Sequence, residues 1–246
     1  MMQRKKFPMK VKILTIFPEI FPGFLGCSLT GKALDRGLWK LETVNIRDYA
    51  FDRHGSVDDT PCGGGAGMIM RPDVLDAALK ANYDKGRLIY MSPRGEPLTQ
   101  AKVHELSLEE EITVVCGRFE GVDERVLEAR NIEEISIGDY ILTGGEQAAM
   151  IMLDAVVRLI PGVLGNAEST ADESFENGLL EHPQYTRPIV WDGREVPEVL
   201  LSGHHQNIAD WRHEKAMEVT KRKRPDLYKK YLDSKNCLLY TSPSPR

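Results

Sequence analysis

Cysteine is scarce and scattered: Cys27, Cys62, Cys116 and Cys237 form no CxxC pair, and their spacing fits neither a zinc site nor a disulfide framework. That argues against a stapled secreted scaffold and for a reducing cytoplasm. The six histidines (His54, His104, His182, His204, His205, His213) contain no HxxxH pair, so no zinc is expected on a helix face. No apolar run approaches the ~20 residues a membrane-spanning helix needs. Residues 1–8 are basic but lack the apolar stretch of a signal peptide, so neither export nor an anchor is expected. Positive charge is not in surplus either: the formal net charge is −5. Non-specific nucleic-acid affinity comes from Lys and Arg neutralising phosphates, so any such contact must be local.

One candidate for a local contact exists. Between 212 and 230 stand Arg212, Lys215, Lys221, Arg222, Lys223, Arg224, Lys229 and Lys230 against Glu214, Glu218 and Asp226, a surplus of five positive charges. A solvated helix face accounts for it equally well by composition. With 41% hydrophobic and 28% charged residues over 246 positions, the chain has the make-up of a globular protein with an ample core, and two domains are expected.

The chain alternates between strand and helix patterns. Runs at 11–17, 41–46, 87–91, 112–116 and 135–137 are short, apolar and rich in β-branched residues, as buried strands are. Between them, helices are expected at 28–36, 73–83, 99–107 and 122–130, the second opened by Pro72. Such alternation implies an α/β fold: a parallel sheet with helices on both faces and ligand loops at the carboxyl ends of the strands. Three strand ends, at 90–95, 117–121 and 136–145, are placed to converge.

The organising stretch is 135–162. A strand meets Gly138-Asp139-Tyr140, an apolar step Ile141-Leu142 and Thr143-Gly144-Gly145. A helix at 146–160 follows, apolar on nearly every side and stopped by Pro161-Gly162. It needs cover from other elements or another subunit. Glu146 falls in its first turn, where a carboxylate suits the positive helix end. Residues 163–178 are acidic and lack apolar periodicity, reading as a linker or lid. Helices are expected again at 207–221 and 226–232. The Ser/Pro-rich stretch 236–246 reads as a disordered or foreign tail.

Eight blocks in order, TIFPEIF (15–21), GGGAGM (63–68), YMSPRG (90–95), CGRFEGVDER (116–125), SIGDYILTGGE (136–146), RLIPGVLG (158–165), ESFENGLLEHPQYTRP (173–188) and SGHHQNIADWR (202–212), resemble the bacterial tRNA (guanine-N1)-methyltransferases of the knotted SPOUT superfamily. The likeness runs from about residue 10 to 232. It implies a knotted α/β cofactor-binding domain over 10–162 with a C-terminal trefoil knot. It further implies a linker or lid at 163–178, a small helical tRNA-binding domain over 179–234, and a tail at 235–246. The implied activity is methyl transfer from S-adenosylmethionine to N1 of the guanine 3′ of the tRNA anticodon. A cytoplasmic homodimer with a site shared between subunits is implied, as is a need for Mg2+ whose ligands the sequence does not identify.

The resemblance also assigns residues. The donor is expected against Gly117 and the backbone of Ser136, Ile137, Gly138, Asp139, Tyr140, Ile141 and Leu142. Tyr90, Met91, Ser92, Pro93, Gly144 and Gly145 are expected near it, and Glu120 is placed to oppose the sulfonium charge. Read without the resemblance, these are strand-end turns and a surface acid. Glu173 stands where the family has an aspartate as general base, with Asp172 as the fallback; by itself Glu173 reads as a solvated acid in an acidic loop. Arg158 matches the family's arginine that steadies charge on the guanine O6, although Asp154 at i−4 offers it a plain ion pair. Ala148 replaces a proline usual in the family.

Two other functions follow from single features. The spacing of 26–33 is that of a phosphate loop, with Ala33 where a hydroxyl would hold Mg2+. The patch at 212–230 would also suit a non-catalytic RNA-binding module.

Overall fold

The computed structural model describes residues 8–165 and 173–240, the last five by backbone alone. The chain divides into two compact units, Met1–Gly165 and Asn166–Arg246.

In the first unit, strands β1 (Met9–Thr15), β2 (Trp39–Asn45), β5 (Arg87–Pro97), β6 (Glu111–Val115) and β7 (Glu133–Ser136) form one sheet in the order β2-β1-β6-β5-β7. Every pairing within it is parallel. Strand side chains divide between two cores. Val11, Ile13, Ile89, Met91, Ile112 and Val114 point to one face; Leu14, Leu88, Tyr90 and Val115 point to the other. The period of two that puts successive residues on opposite faces thus fills both sides, which is why these strands read as nearly continuous apolar runs.

Helices cover each face. On the first lie α1 (Ser28–Asp35), α3 (Gln100–Ser107) and α5 (Gly145–Val157), represented in that core by Ala33, Leu106 and Leu153. On the second lie α2 (Pro72–Asn82) and α4 (Glu124–Arg130), with Leu75, Leu79 and Leu127. Their ends follow local chemistry: Thr99 accepts the Lys102 amide at the start of α3, and Asp123 accepts the Arg125 amide before α4. On α5, Met152, Leu153, Val156 and Val157 are fully buried, each contributing ~1.5–3 kcal/mol relative to exposure. Its exposed positions are Gln147, Ile151 and Asp154, one narrow stripe.

Two departures from the sequence reading bear on the site. β5 continues past Met91: both Met91 and Glu96 pair with Ile135, and residues 92–95 bulge away between them. A Cβ on Gly95 would collide with the backbone of Glu134 and Ile135, so only glycine lets the returning chain pass so close. A short antiparallel pair, β3 (Asp58–Asp59) with β4 (Ile69–Met70), flanks the glycine-rich loop 63–67. It is tied to the loop after β6 through Met70 N–H donating to the Gly121 carbonyl and Glu120 N–H donating to the Met68 carbonyl.

The second unit contains the hairpin β8 (Val190–Trp191) with β9 (Arg194–Glu195), and helices α6 (His205–Lys223) and α7 (Pro225–Tyr240). Of the expected linker, residues 166–172 lie outside the described residues. The segment 173–178 folds into a turn: Phe175 N–H donates to the Leu179 carbonyl and Glu181 N–H to Ser174 Oγ. Fully buried Thr220 anchors it, accepting the Leu180 amide at 2.8 Å and donating to the Ala216 carbonyl at 2.6 Å. The backbone of α7 extends to Tyr240, into the segment expected as a tail; 241–246 lie outside the described residues.

Candidate functional site

The strands β6, β5 and β7 lie side by side, and the bulged part of β5 with the loops that follow β6 and β7 encloses a cavity of about 240 Å3. Tyr90, Met91, Ser92 and Pro93 come from β5, and Gly117 and Glu120 from the loop after β6. Ser136, Ile137, Gly138, Tyr140, Ile141, Leu142, Gly144 and Gly145 come from the stretch between β7 and α5. These are the residues expected around the donor, with one exception: exposed Asp139 is not part of the lining. Ile141 is 80% exposed, so the apolar step after the Gly138 turn forms a rim and not a buried strand.

Several contacts explain why glycines stand where they do. A Cβ on Gly117 would sit 2.7 Å from the Tyr90 hydroxyl, and one on Gly145 would sit 3.0 Å from Cys116 Cα. The Gly145 amide donates to the Gly117 carbonyl at 2.9 Å, which ties the start of α5 to the end of β6. Burial raises the pKa of the Tyr90 hydroxyl above its usual value, helped by the nearby charge of Glu134. Burial likewise pushes the Cys116 thiol far up, with the Glu146 charge adding to it, so this sulfur is an inert member of the core behind the site.

The sequence reading missed a charged array beneath this turn. Glu146, expected as a helix-end carboxylate, is fully buried and accepts from Thr15 Oγ1 at 2.6 Å. Its Oε2 lies 2.9 Å from Arg118 Nε. The approach is off the N–H axis, since neither atom has an aligned hydrogen-bond partner, so the contact is ionic more than directional. Arg118 also donates from Nη1 to the Thr143 carbonyl at 3.2 Å, and its guanidinium stacks 4.5 Å above the Phe17 ring. It lines the cavity together with Phe119, Gly121, Ile135, Thr143 and Ala148. Its sequence signal was position alone, in the same block as Gly117 and Glu120.

The expected catalytic residues lie in different units. Arg158 follows α5, half-buried, its amide donating to the Asp154 carbonyl. Glu173 lines a smaller cavity of about 170 Å3 in the second unit, shared with Glu181, His182, Arg212 and His213. Asp172, the fallback, lies outside the described residues. On α6 and α7, Lys215 pairs with Glu218 and Arg224 with Asp226, whose carboxyl the Arg224 hydrogen bond pulls down to about 2. Lys221, Arg222, Lys223, Lys229 and Lys230 stand exposed.

The phosphate-loop reading loses ground. Gly31 of the phosphate-loop pattern is filled by its own chain, since a Cβ there would strike the Gly26 carbonyl, and Thr30 Oγ1 donates to Cys27 O. The segment is helix packing, not a cradle. Among the described residues no group of three or more His, Cys, Asp and Glu converges to hold a metal, so the Mg2+ expectation finds no protein-built site there. No described helix is long and apolar enough to cross a membrane.

Comparison with known proteins bears on the reading directly. The family model described as tRNA (guanine-1)-methyltransferase TrmD matches residues 9–230. A protein of Bartonella tribocorum named tRNA (guanine-N(1)-)-methyltransferase is 63% identical over 223 residues, covering 90% of this chain and 96% of the relative. Proteins of the same name from Rhodospirillum rubrum and Rhizobium etli are 57% and 56% identical, covering 94% and 92% of this chain and 97% and 98% of their own. With the sheet, the cavity at its strand ends and these matches together, the chain belongs to the tRNA (guanine-1)-methyltransferase family of enzymes.

Proposed function

We propose that the protein transfers a methyl group from S-adenosylmethionine to N1 of the guanine immediately 3′ of the anticodon in tRNA. The observation that carries this reading is the cavity, in a chain of this family, lined by nearly every residue expected to hold the donor. When bound there, S-adenosylmethionine supplies an electrophilic methyl on a sulfonium. The chain's own part is to bind and orient. The turn 136–145, Tyr90 and Gly117 line the cavity, and Glu120 places a negative charge at its wall.

In this reading Glu173 takes the N1 proton, Arg158 steadies negative charge on O6, and the exposed cations of α6 and α7 hold the RNA backbone. A base is required because guanine N1 still carries its proton at neutral pH, and the Glu173 carboxylate can accept it. The homodimer with a shared site is part of the same reading, supported by Ile151, 44% exposed on the narrow open stripe of α5. The trefoil knot and the cytoplasmic setting are carried on the resemblance, the latter also by free Cys27, Cys62 and Cys116.

The reading is tested by thermal stabilisation. S-adenosylhomocysteine should raise the melting temperature and ATP should not. Stabilisation by ATP alone would overturn it in favour of nucleotide hydrolysis, and stabilisation by neither in favour of an RNA-binding module.

A further inference from the structure

Among the residues lining the cavity, two carry formal charge: Arg118 and, two positions on, Glu120. A pocket that held only an adenosine and a thioether would need neither, but an amino-acid head group carries one carboxylate and one ammonium. We propose that Arg118 recognises the carboxylate of the donor's amino-acid head group, and that Glu146 with Thr15 is the positioning device that holds it ready. The proposal rests on the S-adenosylmethionine reading of this cavity and adds which end of the ligand is read, and by what.

The geometry supports the assignment at each step. A guanidinium has five N–H donors in a rigid fork. In Arg118, Nε faces Glu146 and Nη1 serves the Thr143 carbonyl, which leaves donors for a ligand oxygen. The Phe17 ring under the guanidinium and the Glu146 carboxylate beside it fix the plane before any ligand arrives, so little rotamer entropy remains to be lost on binding. Glu146 has a second effect. Its buried negative charge offsets that of Arg118, so the pair does not repel a ligand that also carries a sulfonium and an ammonium. Thr15, fully buried at the end of β1, holds the other carboxylate oxygen and thereby ties Arg118 to the centre of the sheet.

Calorimetry with two probes tests this: S-adenosylhomocysteine, and its decarboxylated analogue, which keeps the ammonium and lacks only the carboxylate. The unmutated protein should favour the first by roughly 10- to 100-fold, the usual value of a hydrogen bond to a charged group. In Arg118→Gln the preference should vanish, with affinity for the decarboxylated analogue retained. Glu146→Gln should narrow it. Equal weakening of both probes in Arg118→Gln would make Arg118 a wall residue and overturn the proposal, as would a preference left intact. Should Arg118→Gln fail to fold, the Arg118 Nε–H resonance of the unmutated protein decides: it should shift with S-adenosylhomocysteine and stay with the analogue, and an equal shift with both would contradict the proposal. An unmutated protein that binds neither probe would instead sink the cofactor reading itself.

Discussion

Glu146 Oε2 stands 2.9 Å from Arg118 Nε, and the carboxylate that makes this contact has no exposed surface. A buried carboxylate is costly unless partners compensate it. Here Thr15 and Arg118 do so, and in return the start of α5 is locked to the ends of β1 and β6. Glu146→Gln keeps the size and an acceptor for Thr15 but removes the charge facing Arg118. Urea unfolding should show a loss of about 1–3 kcal/mol, the penalty for depriving a buried polar group of its charged partner. A change within error of zero would mean that the pair contributes nothing net.

Gly144 is extended, so its backbone is one any residue adopts. What requires glycine there is space: a Cβ would overlap the Arg118 guanidinium. Gly144→Val should therefore displace Arg118, abolish S-adenosylhomocysteine binding in calorimetry, and leave the circular dichroism near native. Unchanged affinity would place the cofactor elsewhere.

Much of this was legible in the sequence because the strands are buried on both faces and bounded by glycine turns. The five sheet strands and the helices between them follow from that pattern, within two residues at each end except where β5 runs on to Pro97. The order β2-β1-β6-β5-β7 does not follow, since parallel strands pair across helices and local pattern says nothing of the partner. The return of β5 to pair twice with Ile135 was hidden for the same reason. Arg118 and Glu146 were illegible as a pair because they are brought together only when α5 docks on the ends of β6 and β1. Alone, Glu146 looks like a helix-end carboxylate and Arg118 like a loop cation.

Glu173 has one methylene more than the aspartate usual at its position in the family. If its carboxylate takes the N1 proton, Glu173→Gln should cost roughly 10²–10⁴-fold in single-turnover methylation while hardly changing affinity for S-adenosylhomocysteine. Glu173→Asp should keep substantial activity. A wild-type rate in Glu173→Gln together with a dead Asp172→Asn would transfer the role to Asp172.

Charge reversal of Lys221, Arg222 and Lys223, all exposed at the end of α6, should weaken tRNA binding. The salt slope should fall by about one unit per lost phosphate contact, with cofactor affinity unchanged. Intact tRNA affinity in the triple Glu variant would move the RNA surface to another face.

The central claim is methyl transfer to one atom of one base, and a labelling experiment reaches it directly. The protein is incubated with tritiated S-adenosylmethionine and an unmodified tRNA transcript bearing guanine 3′ of the anticodon, and beside it the same transcript with adenine there. After digestion, the label should run with N1-methylguanosine from the first transcript and be absent from the second. Label on another nucleoside, or equal label in both transcripts, would contradict the account.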